Sequence, residues 1–82
     1  MERQEVMDRV RAHLAAELEV DEQAITESTH LRDDLDADSL DLYELLMELE
    51  DTYDIRIPEA EAAKITTVSE AVDAVHRHVA TA

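Results

Sequence analysis

Residues 38–53 decide the fold, and they read DSLDLYELLMELEDTY. An α-helix turns about 100° per residue, so side chains three and four positions apart share a face. One face of this segment carries the apolar stripe that a helical core requires: Leu42, Leu45, Leu46, Leu49 and Tyr53. Asp38 and Asp41 form an acidic capping box, which predicts a helix that begins at Asp38 or Ser39 and runs to about Tyr53.

A second apolar stripe lies on roughly the opposite side of this predicted helix, at Leu40, Tyr43 and Met47. A monomeric bundle needs only the first stripe. From Asp33 to Asp54 the chain has ten acidic residues and no Lys or Arg. An apolar stripe with an acidic border predicts a docking face for partners with basic patches. The alternative is that the acids are solvated surface and the extra apolar residues pack under a neighbouring loop.

Before this segment, apolar residues at helical spacing predict a first helix over residues 6–18. Residues 19–37 lose this periodicity and predict a long loop with a turn or two of its own. Pro58 suits the first turn of a short third helix that runs through Lys64. Thr67 and Glu70 form a capping box that opens a fourth helix. The predicted fold class is all-α, a four-helix bundle of three long helices and one short one, in a single domain over residues 1–82.

The composition excludes several classes of function. The 82 residues include 22 acids against seven Lys and Arg, for a formal charge of −15. Nucleic acid and anionic lipid both need a positive surface, so neither is expected as the main partner. No segment is apolar enough to span a membrane, and no signal peptide is evident. With no cysteine and no glycine, disulfides and glycine-rich phosphate loops are excluded. We therefore expect a soluble, cytoplasmic monomer.

The residues around Ser39 argue against catalysis and against a dedicated metal site. A nucleophilic serine needs a neighbouring base, and none of the four histidines is spaced to reach Ser39. Residues 34–38 resemble the start of a calcium-binding EF-hand loop. The sixth position should then be Gly but is Ser39, and the twelfth should be Glu but is Leu45. Only weak, diffuse cation binding by the carboxylates is expected. A serine at a helix start favours a phosphate on its hydroxyl, although it is often simply a cap.

A longer pattern surrounds the tripeptide Asp38-Ser39-Leu40. Residues 35–41 read LDADSLD, Ile57-Pro58 follows, and residues 64–68 read KITTV. Over nearly the whole chain this pattern resembles the acyl carrier proteins of dissociated (type II) fatty acid synthesis. The resemblance implies a carrier rather than an enzyme. A phosphopantetheinyl transferase would attach 4′-phosphopantetheine from coenzyme A to Ser39, and acyl groups would ride on the arm as thioesters.

The resemblance also implies that the second helix is the recognition helix for fatty acid synthesis enzymes. The positions that match partner contacts in the family are Asp38, Leu40, Asp41, Tyr43, Glu44, Met47, Glu50, Asp51 and Ile57.

Three residues depart from the usual family pattern. Asp36 stands where many relatives have glycine; aspartate can also adopt left-handed or turn conformations, so we expect the loop to survive. Tyr43 replaces a small aliphatic residue, and Arg56 stands where an acid is common. The last two leave the pathway open, so a specialised carrier for polyketides or other secondary lipids is an alternative. A peptidyl carrier is disfavoured because glycines usually precede its serine. A non-carrier acidic adaptor that docks through the second helix is the alternative from a different class.

Overall fold

The structure, a computed structural model, describes residues 2–81, with side chains described through residue 79. Met1 and Ala82, the ends of the predicted domain, lie outside the described residues. Four α-helices follow in order: α1 (Arg3–Leu18), α2 (Ser39–Tyr53), α3 (Glu59–Ala62) and α4 (Val68–Thr81). A 3₁₀ turn spans Glu22–Ala24, and residues 2–81 form no β-strand. The all-α prediction of three long helices and one short helix is confirmed.

The core is aliphatic because each long helix contributes one apolar stripe to it. Helix α1 packs against both α2 and α4. The largest fully buried side chains on the three long helices are Val6, Met7, Val10, Leu14, Leu45, Leu49, Val68, Val72 and Val75. Arg9 of α1 lies over the ring of Tyr53 at the end of α2, with 6.0 Å between the guanidinium carbon and the ring centroid.

The loop from residue 19 to residue 38 is held at fixed points along its length. Ile25 and Leu31 are fully buried and join the core. The Leu31 N–H donates to the Thr66 carbonyl at 2.9 Å, and the Val68 N–H donates to the Thr29 carbonyl at 3.0 Å. These bonds fasten the loop to the start of α4. The loop therefore delivers the chain to the start of α2 along a fixed path.

Helix α3 is shorter than the sequence predicts. The expected helix runs through Lys64, but α3 ends at Ala62. The N–H groups of Lys64 and Ile65 bond to the carbonyls three residues earlier, Glu61 and Ala62, at 3.1 Å each. Such bonds tighten the last turn, so the α-helical part ends early. In the part of the chain that the structure describes, no helix is both long enough and apolar enough to cross a membrane.

Candidate functional site

Ser39 is the first residue of α2. The structure contains the capping box that the sequence predicts at this helix start. The Asp38 carboxylate accepts from the Asp41 N–H at 2.9 Å, and the Asp41 carboxylate accepts from the Asp38 N–H at 3.2 Å. Both side chains therefore hold the backbone at the helix start. Ser39 itself is exposed. Its hydroxyl is free of any cap role and faces outward, as an attachment point requires.

Two residues before Asp38 fix the approach to this serine. Asp36 has φ 55°, in the left-handed region, a conformation that aspartate can adopt in place of glycine. Ala37 is buried, and its N–H donates to the Leu31 carbonyl at 3.1 Å. The turn at Asp36 lets the buried Ala37 and the exposed Ser39 follow one another within three residues.

Arg32 contacts the serine directly, which the sequence did not predict. Its Nη2 donates to the Ser39 Oγ at 3.1 Å. Arg32 follows the buried Leu31, so its backbone is anchored by the core on one side. The contact joins the loop to the start of α2 and places a positive charge beside the hydroxyl.

A cavity of about 480 Å³ opens beside Ser39, between α2 and residues 56–65. Its size falls within the range of small-ligand pockets in proteins. The apolar part of the lining includes Leu42, Leu46, Ile57, Ala62 and Ile65. Charged side chains also line it, among them Arg32, Arg56 and Glu59. The Ser39 hydroxyl thus lies next to a largely aliphatic space.

Two hydrogen bonds join α2 to residues 57–59 on the other side of this cavity. The Glu50 carboxylate accepts from the Ile57 N–H at 2.8 Å. The Tyr43 hydroxyl donates to the Glu59 carboxylate at 3.1 Å. This bond, reinforced by the charge of Glu59, raises the pKa of the Tyr43 phenol above its ordinary 10.0. Tyr43 therefore has a contact within the chain as well as an exposed ring.

Eight of the nine residues predicted to dock partners fall into three groups. Leu40, Tyr43 and Met47 are exposed by 65%, 55% and 59% of their surface, so the second apolar stripe lies on the outside of the bundle. Asp38, Glu44 and Asp51 are also exposed, whereas Asp41 and Glu50 are partly buried and bond to backbone N–H groups.

Ile57 is placed differently from the other predicted docking residues. Only 7% of its surface is exposed, and its side chain belongs to the core and to the cavity lining. Its backbone N–H is bonded to the Glu50 carboxylate, which helps to fix the chain at this position.

The histidines have contacts away from the serine. His13 of α1 lies 3.1 Å from the Glu48 carboxylate, and His30 lies 3.6 Å from Asp34. His78 of α4 contacts Glu61 of α3 at 2.8 Å. The hydrogen bonds from His78 and Arg77 lower the pKa of Glu61. Among residues 2–81 no group of three or more His, Asp or Glu is arranged to hold a metal ion.

Comparison with known proteins agrees with this geometry. The family described as "Phosphopantetheine attachment site" matches residues 8–75. The chain is 50% identical over 78 residues to an acyl carrier protein of Rubrobacter xylanophilus, covering 95% of this chain and 96% of that protein. It is 42% identical over 78 residues to an acyl carrier protein of Lactobacillus acidophilus, covering 95% of this chain and 98% of that protein.

A solved structure of the acyl carrier protein from Enterococcus faecalis has the same fold. The TM-score is 0.81 at 33% identity, and the match covers 95% of this chain and 99% of that one. The relatives are named as carriers rather than as enzymes. The family match spans most of the chain and includes the helix that Ser39 opens. The chain therefore belongs to the acyl carrier proteins, whose cofactor is a covalently attached phosphopantetheine.

Proposed function

We propose that Ser39 bears the 4′-phosphopantetheine arm and that the chain carries acyl groups in fatty acid synthesis. The observation that carries this proposal is the exposed Ser39 hydroxyl beside a largely aliphatic cavity. In the attachment step Ser39 Oγ attacks the phosphorus of coenzyme A that bears the pantetheine. The pyrophosphate P–O bond breaks, adenosine 3′,5′-bisphosphate leaves, and the hydroxyl proton passes to a base of the transferase.

The cavity residues suit the proposed cargo. The terminal thiol of the arm carries acyl groups as thioesters when the arm is present. Leu42, Leu46 and Ile65 offer aliphatic surface, and burial of an alkyl chain is worth about 0.8 kcal/mol per methylene. These residues would shield the alkyl chain from water while the carrier moves from one enzyme to the next. The Tyr43–Glu59 hydrogen bond crosses between the two segments that line this space and would have to give way when cargo spreads them.

The outer face of α2 suits the proposed partners. Leu40, Tyr43 and Met47 form an exposed apolar stripe with Asp38, Glu44 and Asp51 among the surrounding acids. Acidic borders steer basic patches at long range, and the apolar stripe supplies contact area once the two surfaces meet. We place the transferase and the fatty acid synthesis enzymes on this face, with the chain acting as a monomer in the cytoplasm. Ile57 contributes through the shape of the cavity rather than through exposed area.

The first test is the intact mass after incubation with coenzyme A, Mg²⁺ and a broad-specificity phosphopantetheinyl transferase. We expect a gain of one phosphopantetheine that is lost in Ser39→Ala. Ser28→Ala is the matched control, because Ser28 is an exposed serine of the loop away from α2. No gain by the folded chain, with the transferase active on another carrier, would favour the acidic adaptor.

A second measurement separates the pathways. The acyl groups that the chain bears when isolated from its native cells can be identified by mass. Saturated straight chains that grow by two carbons support fatty acid synthesis. Chains that keep keto or hydroxyl groups would instead assign the protein to a polyketide or other specialised pathway.

A further inference from the structure

Arg32 is fixed beside the proposed attachment atom by the fold of the loop. The turn around it is closed by the Asp34 and Leu35 N–H groups, which donate to the His30 carbonyl at 2.9 and 3.3 Å. The preceding residue, Leu31, is buried. The guanidinium ends 3.1 Å from Ser39 Oγ. The Arg32 side chain therefore extends from a hydrogen-bonded turn and lies within reach of a group attached to Ser39 Oγ.

The charge of Arg32 is not neutralised by a neighbouring carboxylate. Arg3, Arg11 and Arg77 each form an ion pair with an acid of the chain. Arg32 forms none within 4.0 Å among the side chains that the structure describes, although the ten acids of residues 33–54 follow it directly. Its hydrogen bond goes to the serine hydroxyl instead. Arg9, Arg56 and Lys64 likewise form no ion pair among the described side chains, so it is the contact with Ser39 Oγ that suits Arg32 to receive an anion borne by that atom.

We propose that Arg32 is a positioning residue that binds the phosphodiester borne by Ser39. This inference rests on the proposed function. The phosphodiester carries one negative charge, and its free oxygens lie two bonds beyond Oγ, where the planar guanidinium fork can donate to them. Attachment of the phosphopantetheine arm, called loading below, adds this charge close to Asp38 and Asp41, which repel it. Arg32 offsets that repulsion and holds the root of the arm beside the cavity that Arg32 and Ser39 both line.

The test compares Arg32→Gln with Arg56→Gln, each before and after loading. Arg56 is the matched control because it lines the same cavity and is exposed. Arg56→Gln removes the same charge, but at a residue that does not contact Ser39. Complete loading is first verified by intact mass. The thermal midpoint and the ³¹P resonance of the diester are then measured at low salt and at about 1 M NaCl, where the Debye length falls to about 3 Å.

We expect loading to lower the midpoint of Arg32→Gln by about 2–5 °C more than that of Arg56→Gln at low salt. The difference should shrink at high salt. The ³¹P resonance should move in Arg32→Gln and stay at its wild-type position in Arg56→Gln. Arg32→Lys keeps the charge but loses the fork, so it should recover part of the midpoint difference.

The outcomes separate this inference from the function on which it rests. A wild-type chain that gains no mass overturns both. A chain that loads fully, but whose two Gln variants respond alike in midpoint and in ³¹P resonance, overturns the role of Arg32 alone. Because each variant is compared with its own unloaded form, a general effect of charge on stability does not contribute.

Discussion

Among residues 2–81, which the structure describes, three hold left-handed backbone angles, although the chain contains no glycine. Glu19, Asp36 and Asp54 have φ values of 56°, 55° and 54°. Glu19 and Asp54 follow the ends of α1 and α2, and their N–H groups donate to the carbonyls of Ala15 and Glu50. Glycine normally fills such positions because any Cβ is crowded there. The chain accepts that strain at both helix ends.

Replacement of these residues by glycine should therefore stabilise the fold. We expect Glu19→Gly and Asp54→Gly each to raise the free energy of unfolding by about 0.5–1 kcal/mol in urea titrations. Ala12→Gly, in the middle of α1 with ordinary helical angles, should lower it by about 1 kcal/mol. Glu19→Gln keeps the Cβ and removes the charge. A gain in Glu19→Gln equal to that in Glu19→Gly would show that charge, rather than backbone strain, is responsible.

Glu70 and Glu44 should respond to pH with opposite signs. The Thr66 hydroxyl and the N–H groups of Thr66 and Thr67 lower the pKa of Glu70 below its ordinary 4.5. Its stabilising contribution is complete above that value and is lost as the pH falls through the folded-state pKa. The Glu17 carboxyl, by hydrogen bond and like charge, raises the pKa of Glu44. Ionised Glu44 therefore destabilises the fold once the pH exceeds its folded-state pKa.

We expect Glu70→Gln to lower the melting temperature at pH 7 and Glu44→Gln to raise it. Both differences from the wild type should disappear in acid, where the two carboxyls are protonated in the folded and unfolded chain. Melting curves of the three proteins across the pH range test this. Equal shifts of the two variants at pH 7 would mean that only net charge matters.

Helix α2 packs one face against the core and exposes the other to solvent. Leu49 is fully buried, whereas 59% of the Met47 surface is exposed two residues earlier. We expect Leu49→Ala to cost about 2–5 kcal/mol of unfolding free energy. Met47→Ala should stay within about 0.5 kcal/mol of the wild type and weaken binding to a partner enzyme. A large stability loss in Met47→Ala would place Met47 among the residues that hold the fold.

Elements with strong periodicity were predictable, and contacts between them were not. The limits of α2 follow from Asp38, Asp41 and the leucine stripe, all of which are local signals. The contact between Arg32 and Ser39 depends on the path of residues 19–38, which have no periodicity and are placed by distant anchors. The bond of the Ile57 N–H to the Glu50 carboxylate, seven residues away, is likewise a contact between elements that periodicity does not predict.

For the whole molecule, charge repulsion opposes the packing of an aliphatic core. The formal charge is −15, and the ion pairs of Arg3, Arg11 and Arg77 neutralise only a few acids. We expect the melting temperature to rise when NaCl increases from about 0.01 M to about 0.15 M, which shortens the Debye length from about 30 Å to about 8 Å. Mg²⁺ should act in the same direction. Calorimetry at matched ionic strength separates screening from cation binding, and insensitivity to both salts would contradict the expectation.

The three left-handed positions of the described part of the chain are all occupied by acids, so the same residues form the strained turns and contribute to the negative charge. A mutation to glycine at Glu19, Asp36 or Asp54 relieves the backbone strain there and also removes a negative charge. Natural selection for a more stable fold and selection for attraction to basic enzymes would then act on the same codons in opposite directions. If the acidic surface recruits partners, the strained turns would persist in evolution because the more stable alternative is a poorer substrate for those enzymes.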